Sequence, residues 1–299
     1  MILKFRYIIS FVLCFPFTVF AQVPRLVRVN PQHYFQRTVP KGNYSGLTWL
    51  GGDHYAVVSD KASDSGFFLF RIQIDTVSGD IKDIVNEGFR SSGEMNKDEE
   101  GIAFFPKDST LWISREADNT VLEYGLNGKQ TGRGLSIPSV FSTATPAYSF
   151  EDTFVAKEQY AYLMDAPDNH PSAANYAMGV PAMAALDNGC LLVLEREFLV
   201  TPSKFGSYVV NKIYCVNPIQ SVTISQDKVL DTSSPYMKKV LIATWKTSLS
   251  LFHQNLANYE GMCLGPHLMD GSQVIVLCAD SQDQYGGVLR DWFRTVVIR

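Results

Sequence analysis

Apolar residues along this chain occur in short runs bounded by Gly, Pro, Asn and Asp. The runs are rich in β-branched and aromatic residues, which favour strands. Strands are predicted at Tyr55–Ser59, Phe67–Ile74, Gly101–Phe105, Leu111–Ser114, Thr120–Tyr124, Tyr160–Met164, Cys190–Leu194, Val209–Val216, Ser221–Ser225, Val240–Trp245, Val274–Cys278 and Arg294–Ile298. Helical periodicity is confined to Ser248–Asn258, where a short helix is predicted. The pattern therefore predicts an all-β protein.

One motif recurs along the chain: a glycine-containing opening, an apolar strand, a turn, a second apolar strand and a closing acid. From opening residue to closing acid, its copies run Gly46 to Asp60, Gly101 to Glu116, Pro181 to Glu195 and Gly261 to Asp280. The openings lie about 55 and then twice about 80 residues apart, which fits one blade spacing and two double spacings of a β-propeller. We therefore predict a six-bladed β-propeller, with five or seven blades as alternatives.

The hairpin in each copy brings its two ends side by side, and radial blades present the same end to one side of the ring. The acids at these ends should gather at one mouth of the channel, and they are Asp60, Glu100, Glu116, Glu195, Glu260 and Asp280. Clustered carboxylates need compensation by cations, by raised pKa values or by a metal. Three roles remain open for them: anchoring loops, binding calcium, or acid and base chemistry.

The first 21 residues combine Lys4 and Arg6 with an apolar core and a closing alanine, which is typical of a secretory signal peptide. We expect residues 22–299 to form a single exported domain, periplasmic or extracellular.

The formal net charge is −4 and no basic block is present, which argues against nucleic acid as a partner. No later segment is long and apolar enough for a membrane span, and a monomer is expected.

Four cysteines follow the predicted signal peptide, an even number that an oxidising compartment allows to pair. If Asp270-Gly271 forms a two-residue turn, Cys263 and Cys278 face each other and can form a disulfide. Buried free thiols are the alternative.

The sequence contains no serine-hydrolase elbow, zinc-protease motif or phosphate-binding glycine loop.

Several of these segments together resemble the phytase-like family of secreted proteins, described as having esterase-like activity. The segments are Ser45-Gly46-Leu47 with Ser59-Asp60, Asp98-Glu99-Glu100-Gly101-Ile102-Ala103 with Ser114-Arg115-Glu116, Leu194-Glu195-Arg196, Asn258-Tyr259-Glu260-Gly261-Met262, and Ala279-Asp280-Ser281. The resemblance covers about residues 44–298. This sequence departs from the family at Ser149-Phe150-Glu151-Asp152, where the family has a Gly-Phe-Glu-Gly type motif. The set of acids around the channel mouth should therefore be incomplete on that side.

The resemblance implies a six-bladed propeller exported from a bacterial cell, which hydrolyses phosphate esters with calcium. Calcium would be held by some of Glu100, Glu116, Glu195, Glu260 and Asp280, with Asp60 as a further candidate, and would activate a water. Glu100, Glu116, Glu260 and Asp280 are the candidate catalytic residues, and Lys61, Arg115 and Arg196 would hold phosphate oxygens. Two alternatives remain: a non-catalytic propeller that binds a ligand or protein, and a lactone hydrolase with one axial metal.

Overall fold

The structure, a computed structural model, describes residues 23–135, 148–150, 156–167, 173–225 and 228–299, so the predicted signal peptide lies outside the described residues. The described strands are β1 Leu26–His33, β2 Tyr44–Gly51, β3 His54–Ser59, β4 Asp64–Ile74, β5 Ile81–Met95, β6 Glu99–Phe105, β7 Thr110–Arg115, β8 Thr120–Gly125, β9 Gln130–Leu135, β10 Tyr148–Phe150, β11 Ala156–Gln159, β12 Asn175–Ala185, β13 Leu191–Val200, β14 Tyr208–Val216, β15 Lys239–Ser248, β16 Asn258–His267, β17 Gln273–Asp280 and β18 Phe293–Ile298. The all-β prediction is confirmed.

Helices in the described part are two 3-10 turns, Pro218–Gln220 and Tyr285–Gly287. None of the described helices has the length and apolar character that crossing a bilayer requires. The short helix predicted at Ser248–Asn258 is wrong, because Leu249 forms an antiparallel bridge with Gln254. The Ser250 hydroxyl accepts hydrogen bonds from the backbone N–H groups of Phe252 and His253, which favours a turn over a helix.

In the described residues, four antiparallel sheets of four strands each form the blades of a β-propeller arrangement. We number them blade 1 (β2 to β5), blade 2 (β6 to β9), blade 3 (β12 to β15) and blade 4 (β16, β17, β18 and β1). The inner strands lie side by side, since β16 contacts both β12 and β2, and β2 contacts β6. Blades 3, 4, 1 and 2 therefore follow one another around the axis.

The core lies between the blades. In β3, Tyr55 and Val57 pack toward blade 4, whereas Ala56 and Val58 pack toward blade 2. Successive side chains of a strand point to opposite faces, so a strand between two blades must be apolar at every position. This explains why the sequence shows continuous apolar runs rather than alternating ones.

The predicted blade number of six is wrong for the described part of the chain, which forms four four-stranded blades and the two-stranded sheet of β10 and β11. Each motif opening begins one blade. The interval from Pro181 to Gly261 holds a single blade with long strands, and Val240–Trp245 lies in β15, the outer strand of blade 3. In the other long interval, from Gly101 to Pro181, Phe150 ends β10, and Glu151 lies outside the described residues.

Of the two alternatives for Cys263 and Cys278, the structure has the buried free thiols and not the disulfide. The pairing register places Cys263 opposite Val276 and Cys278 opposite Gly261. The backbone N–H of Leu268 donates to the Ser272 carbonyl at 2.8 Å, so the turn is longer than the two residues assumed. This longer turn and an irregularity after Leu264 shift the two cysteines out of register.

Candidate active site

A β-bulge precedes the opening glycine in the two best-preserved acidic copies of the motif. In blade 2, Glu99 pairs with Arg115 and Gly101 with Ser114, so Glu100 is an extra residue without a cross-strand partner. In blade 4, Glu260 lies in the same way between Tyr259 and Gly261. A bulge re-aims a side chain and often lies beside an active site, so the bulged position is where the motif displays its acid.

Three carboxylates from blades 1 and 2 converge at the end of β3 and the start of β6. Oxygens of Asp60, Asp98 and Glu100 all lie within 4.8 Å of one another, and the three residues are half-buried. The Lys61 ammonium lies 3.1 Å from Asp60 Oδ2 and 2.9 Å from Asp98 Oδ1. One cation therefore faces three acids in this carboxylate cluster.

Blade 4 adds two further acids to the same mouth. Burial raises the pKa of Glu100 to about 8, and the charges of Glu260 and Asp60 contribute to this rise. Burial likewise raises the pKa of Asp280 to about 7, again with contributions from Glu260 and Asp60. Because these carboxylates act on one another, we treat Asp60, Asp98, Glu100, Glu260 and Asp280 as one acidic rim.

Blade 3 contributes a cation to the rim. The Arg196 guanidinium forms an ion pair with Glu260, and its Nη1 donates to Asn258 Oδ1 at 2.5 Å. Asn258 Nδ2 in turn donates to Glu260 Oε1 at 2.8 Å. Arg196 is thereby held in place by two residues of β16, and all four blades supply a side chain to the site.

Three predicted residues lie at the margin of this arrangement or away from it. Glu116 is exposed, and its charge contributes to the raised pKa of Glu100. Arg115 donates to Asp118 Oδ2 at 2.6 Å rather than to a rim carboxylate. Glu195 faces away from the rim and accepts from Lys239 Nζ at 2.6 Å. The alternation of β13 explains the last case, since Arg196 and Glu195 must point to opposite faces.

Two residues of the site were not among the sequence-based candidates, namely Asp98 and Asn258. Both occur within the motif segments, each two positions before the acid that precedes the opening glycine. Asp98 has a left-handed backbone with a φ of 65°, and its N–H donates to Asn96 Oδ1 at 2.7 Å. Their regular position before the bulged acid is a signal that could have identified them.

The rim offers an all-oxygen set of ligands, which suits a hard cation. Asp60 Oδ1 is buried and has no hydrogen-bond partner among the described residues. Oxygens on opposite sides of a Ca²⁺ ion are up to about 5 Å apart, which agrees with the spacing of the carboxylate cluster. The residues present therefore fit a bound divalent cation.

A cavity of about 280 Å³ adjoins the carboxylate cluster and shares Lys61 with it. Its lining includes Lys41, Ser59, Phe68 and Gln284. A second cavity of about 310 Å³ is lined by residues such as Pro24, Asp187 and Arg299 and contains none of the rim residues. The smaller cavity is the one positioned to receive a ligand of the rim.

Comparison with known proteins places this chain in a family. The sequence profile of the phytase-like family, described as "esterase-like activity of phytase", matches residues 39–154 and 147–282, and the chain belongs to that family. No curated protein matches the sequence significantly. The two matched ranges contain every residue of the acidic rim.

The solved structures that match this chain are distant from it in sequence. A streptogramin B lyase is 12% identical with a TM-score of 0.38, covering 90% of this chain and 98% of the lyase chain. Hydrazine synthase from Kuenenia stuttgartiensis is 9% identical with a TM-score of 0.32, covering 86% and 82%. A DUF4221 family member from Bacteroides vulgatus is 8% identical with a TM-score of 0.34, covering 92% and 98%.

Proposed function

We propose that this protein is an exported hydrolase of phosphate esters that depends on calcium bound at the acidic rim. Convergence of carboxylates from three blades, with two cations beside them, is the observation that carries the proposal. Membership of the phytase-like family supports the same class of reaction. The acidic rim alone would repel a phosphate ester, so the proposal requires a cation to be bound.

Asp60, Asp98 and Glu100 are the residues that would hold the cation, because their oxygens are close together and one Asp60 oxygen lacks a protein partner. Bound calcium would neutralise these charges, polarise a phosphate oxygen and lower the pKa of a water. Glu260 and Asp280 extend the acidic surface toward blade 4. Glu260 would hold Arg196 in place, and Asp280 would exchange a proton.

Positive groups on two sides of the rim would orient the phosphate. Arg196 is fixed by Glu260 and Asn258, so little side-chain freedom is lost when it binds an oxyanion. Lys61 lies between the carboxylate cluster and the adjoining cavity, where it can contact a ligand in either place. Asp280 has a pKa raised to about 7, which suits proton exchange near neutral pH.

Release of inorganic phosphate from a panel of phosphate esters, with added calcium and with a chelator, tests this function. We expect release only with calcium, and a reduction of kcat by about 100-fold or more in Glu100→Gln. Glu87→Gln is the matched control, because Glu87 lies in β5, outside the rim, and pairs with Arg71 at 3.3 Å.

Absence of phosphate release under both conditions would overturn the proposal. Lactone hydrolysis without phosphate release would instead favour the lactonase alternative. Calcium binding by calorimetry without any hydrolysis would favour a binding propeller.

A further inference from the structure

A second polar cluster lies between blades 3 and 4, beside the acidic rim. Arg196 in β13 is paired with Asn211 in β14, and Asn211 is paired with Trp245 in β15. Residues directly opposite one another in neighbouring strands share a face of the sheet. Arg196 contacts Glu260 of blade 4, so this shared face looks toward that blade.

Blade 4 presents Arg294 and Tyr259 to the same cluster. The Arg294 guanidinium lies 5.6 Å from the centre of the Trp245 ring and 5.8 Å from that of Tyr259. The two rings are themselves 5.8 Å apart. Arg196, Asn211, Trp245 and Arg294 are therefore contiguous across the two blades, and we call them the interblade cluster.

The interblade cluster has an excess of unpaired hydrogen-bond donors. Asn211 is fully buried, and neither atom of its side-chain amide has a partner among the described residues. The same holds for Arg196 Nε, Trp245 Nε1 and Arg294 Nε. Buried polar atoms in folded proteins are nearly always paired, so such a group of donors calls for a ligand.

The charge of the cluster indicates which kind of ligand would fit. Arg196 is neutralised by Glu260, whereas no carboxylate of the described residues pairs with Arg294. A water could satisfy the Asn211 amide, but it would leave the half-buried Arg294 guanidinium with only the rings of Trp245 and Tyr259 beside it and no negative charge. An oxyanion can accept from several donors at once and also supplies the missing negative charge.

We propose that the interblade cluster binds a small oxyanion, for which inorganic phosphate is the probe. Asn211 and Trp245 donate to its oxygens, and Arg294 provides the opposite charge. Arg196 is partly exposed and contacts Glu260 of the rim, so the anion enters from that side. This site requires neither calcium nor hydrolysis, and its test is independent of the proposed function.

Calorimetric titration of the whole protein with phosphate, in the presence of a chelator and at constant ionic strength, tests the proposal. We expect binding by the unaltered protein, with affinity reduced by at least about tenfold in Asn211→Leu and in Arg294→Met. Arg28→Met is the matched control, because Arg28 is an exposed arginine of the same blade. Lys61→Met is a second control, since it removes a cation of the rim but leaves the interblade cluster intact.

Absence of phosphate binding by the unaltered protein would overturn the proposal. If Asn211→Leu were then more stable than the unaltered protein, the Asn211 amide would be assigned to binding a buried water. Binding that persists unchanged in Arg294→Met would also overturn it. Arg294→Met decides the question if Asn211→Leu does not fold, because Arg294 is half-buried and its replacement keeps the apolar stem. Loss of binding in Lys61→Met alone would place the phosphate at the rim and likewise contradict the proposal.

Discussion

Gly46 illustrates how one residue allows the inner strands to meet. A Cβ atom at this position would lie 2.8 Å from the Glu100 carbonyl oxygen and 3.2 Å from Gly101 Cα. These contacts are with backbone of the neighbouring blade, which cannot move aside as a side chain can. The glycine that opens the motif is therefore required by the close approach of strands.

We predict that Gly46→Ala lowers the free energy of unfolding by about 1–3 kcal/mol, because the added methyl group forces two blades apart. Denaturant unfolding measures the change. Gly179→Ala in β12 is the matched control, since a Cβ there meets nothing within 4 Å. Equal losses in the two variants would contradict the explanation.

Asp165 shows a different use of charge, which stabilises blade 3 away from the rim. It lies 2.7 Å from Lys239 Nζ, forms an ion pair with Lys212 and accepts from the Tyr214 hydroxyl at 2.7 Å. Burial alone would raise the pKa of Asp165, but the hydrogen bonds from Lys212 and Lys239 outweigh it and hold the pKa below its usual value. A carboxylate with a depressed pKa in the folded state contributes stability above its unfolded pKa and loses it in acid.

Asp165→Asn should accordingly lower the free energy of unfolding at pH 7 by about 1–3 kcal/mol. The difference from the unaltered protein should shrink as the pH falls below about 4, where the carboxylate is protonated in the unfolded chain. Unfolding curves at several pH values measure this dependence, with the exposed Asp187→Asn as control. A loss that is independent of pH would rule out the ionic explanation.

At the scale of elements, the recurring motif is a hairpin whose inner strand carries a bulge. Sequence alone predicted that the hairpin ends would bring acids together. In the structure, oxygens of Asp60 and Glu100 lie within 4.8 Å of each other, and the charge of Glu260 acts on both Glu100 and Asp280. The bulge was not visible, because one extra residue leaves the apolar pattern of the strand almost unchanged. It also shifts the register of the hairpin beyond Glu260.

This register leads to a prediction about the cysteines of blade 4. Peptide mapping without reduction should find no peptide that joins Cys263 to Cys278, because Cys278 lies opposite Gly261. Thiol titration of the unfolded protein should also detect both groups as free. Detection of the crosslinked peptide would show that the hairpin has the two-residue turn at Asp270-Gly271, with Cys263 opposite Cys278.

At the scale of the whole molecule, the first strand and the last strand lie in one blade. β1 pairs with β18, and the backbone N–H groups of Arg25 and Arg299 each donate to the carbonyl of the other, at 2.7 and 2.9 Å. The two ends of the described chain therefore stabilise each other. Cores between blades 3 and 4 and between blades 4 and 1 both depend on blade 4 being intact.

We predict that a variant beginning after His33 has a lower melting temperature than one beginning at Arg25, which keeps all of β1. Each kcal/mol lost should lower Tm by about 2–4 °C for a protein of this size. Calorimetry or circular dichroism measures the difference. Identical melting of the two variants would mean that β1 does not stabilise blade 4.

The sequence by itself determined the all-β class, the motif openings that begin each blade and four of the five acids of the rim, because these follow from the short β-branched and aromatic runs and from hairpin geometry. Only the tertiary structure decided the number of blades, since an interval of about 80 residues can hold two short blades or one blade with long strands. Tertiary structure also separated Arg196, which reaches Glu260, from Glu195, which pairs with Lys239. Neighbouring residues of one strand face different blades, and the sequence does not reveal which blade lies on which side.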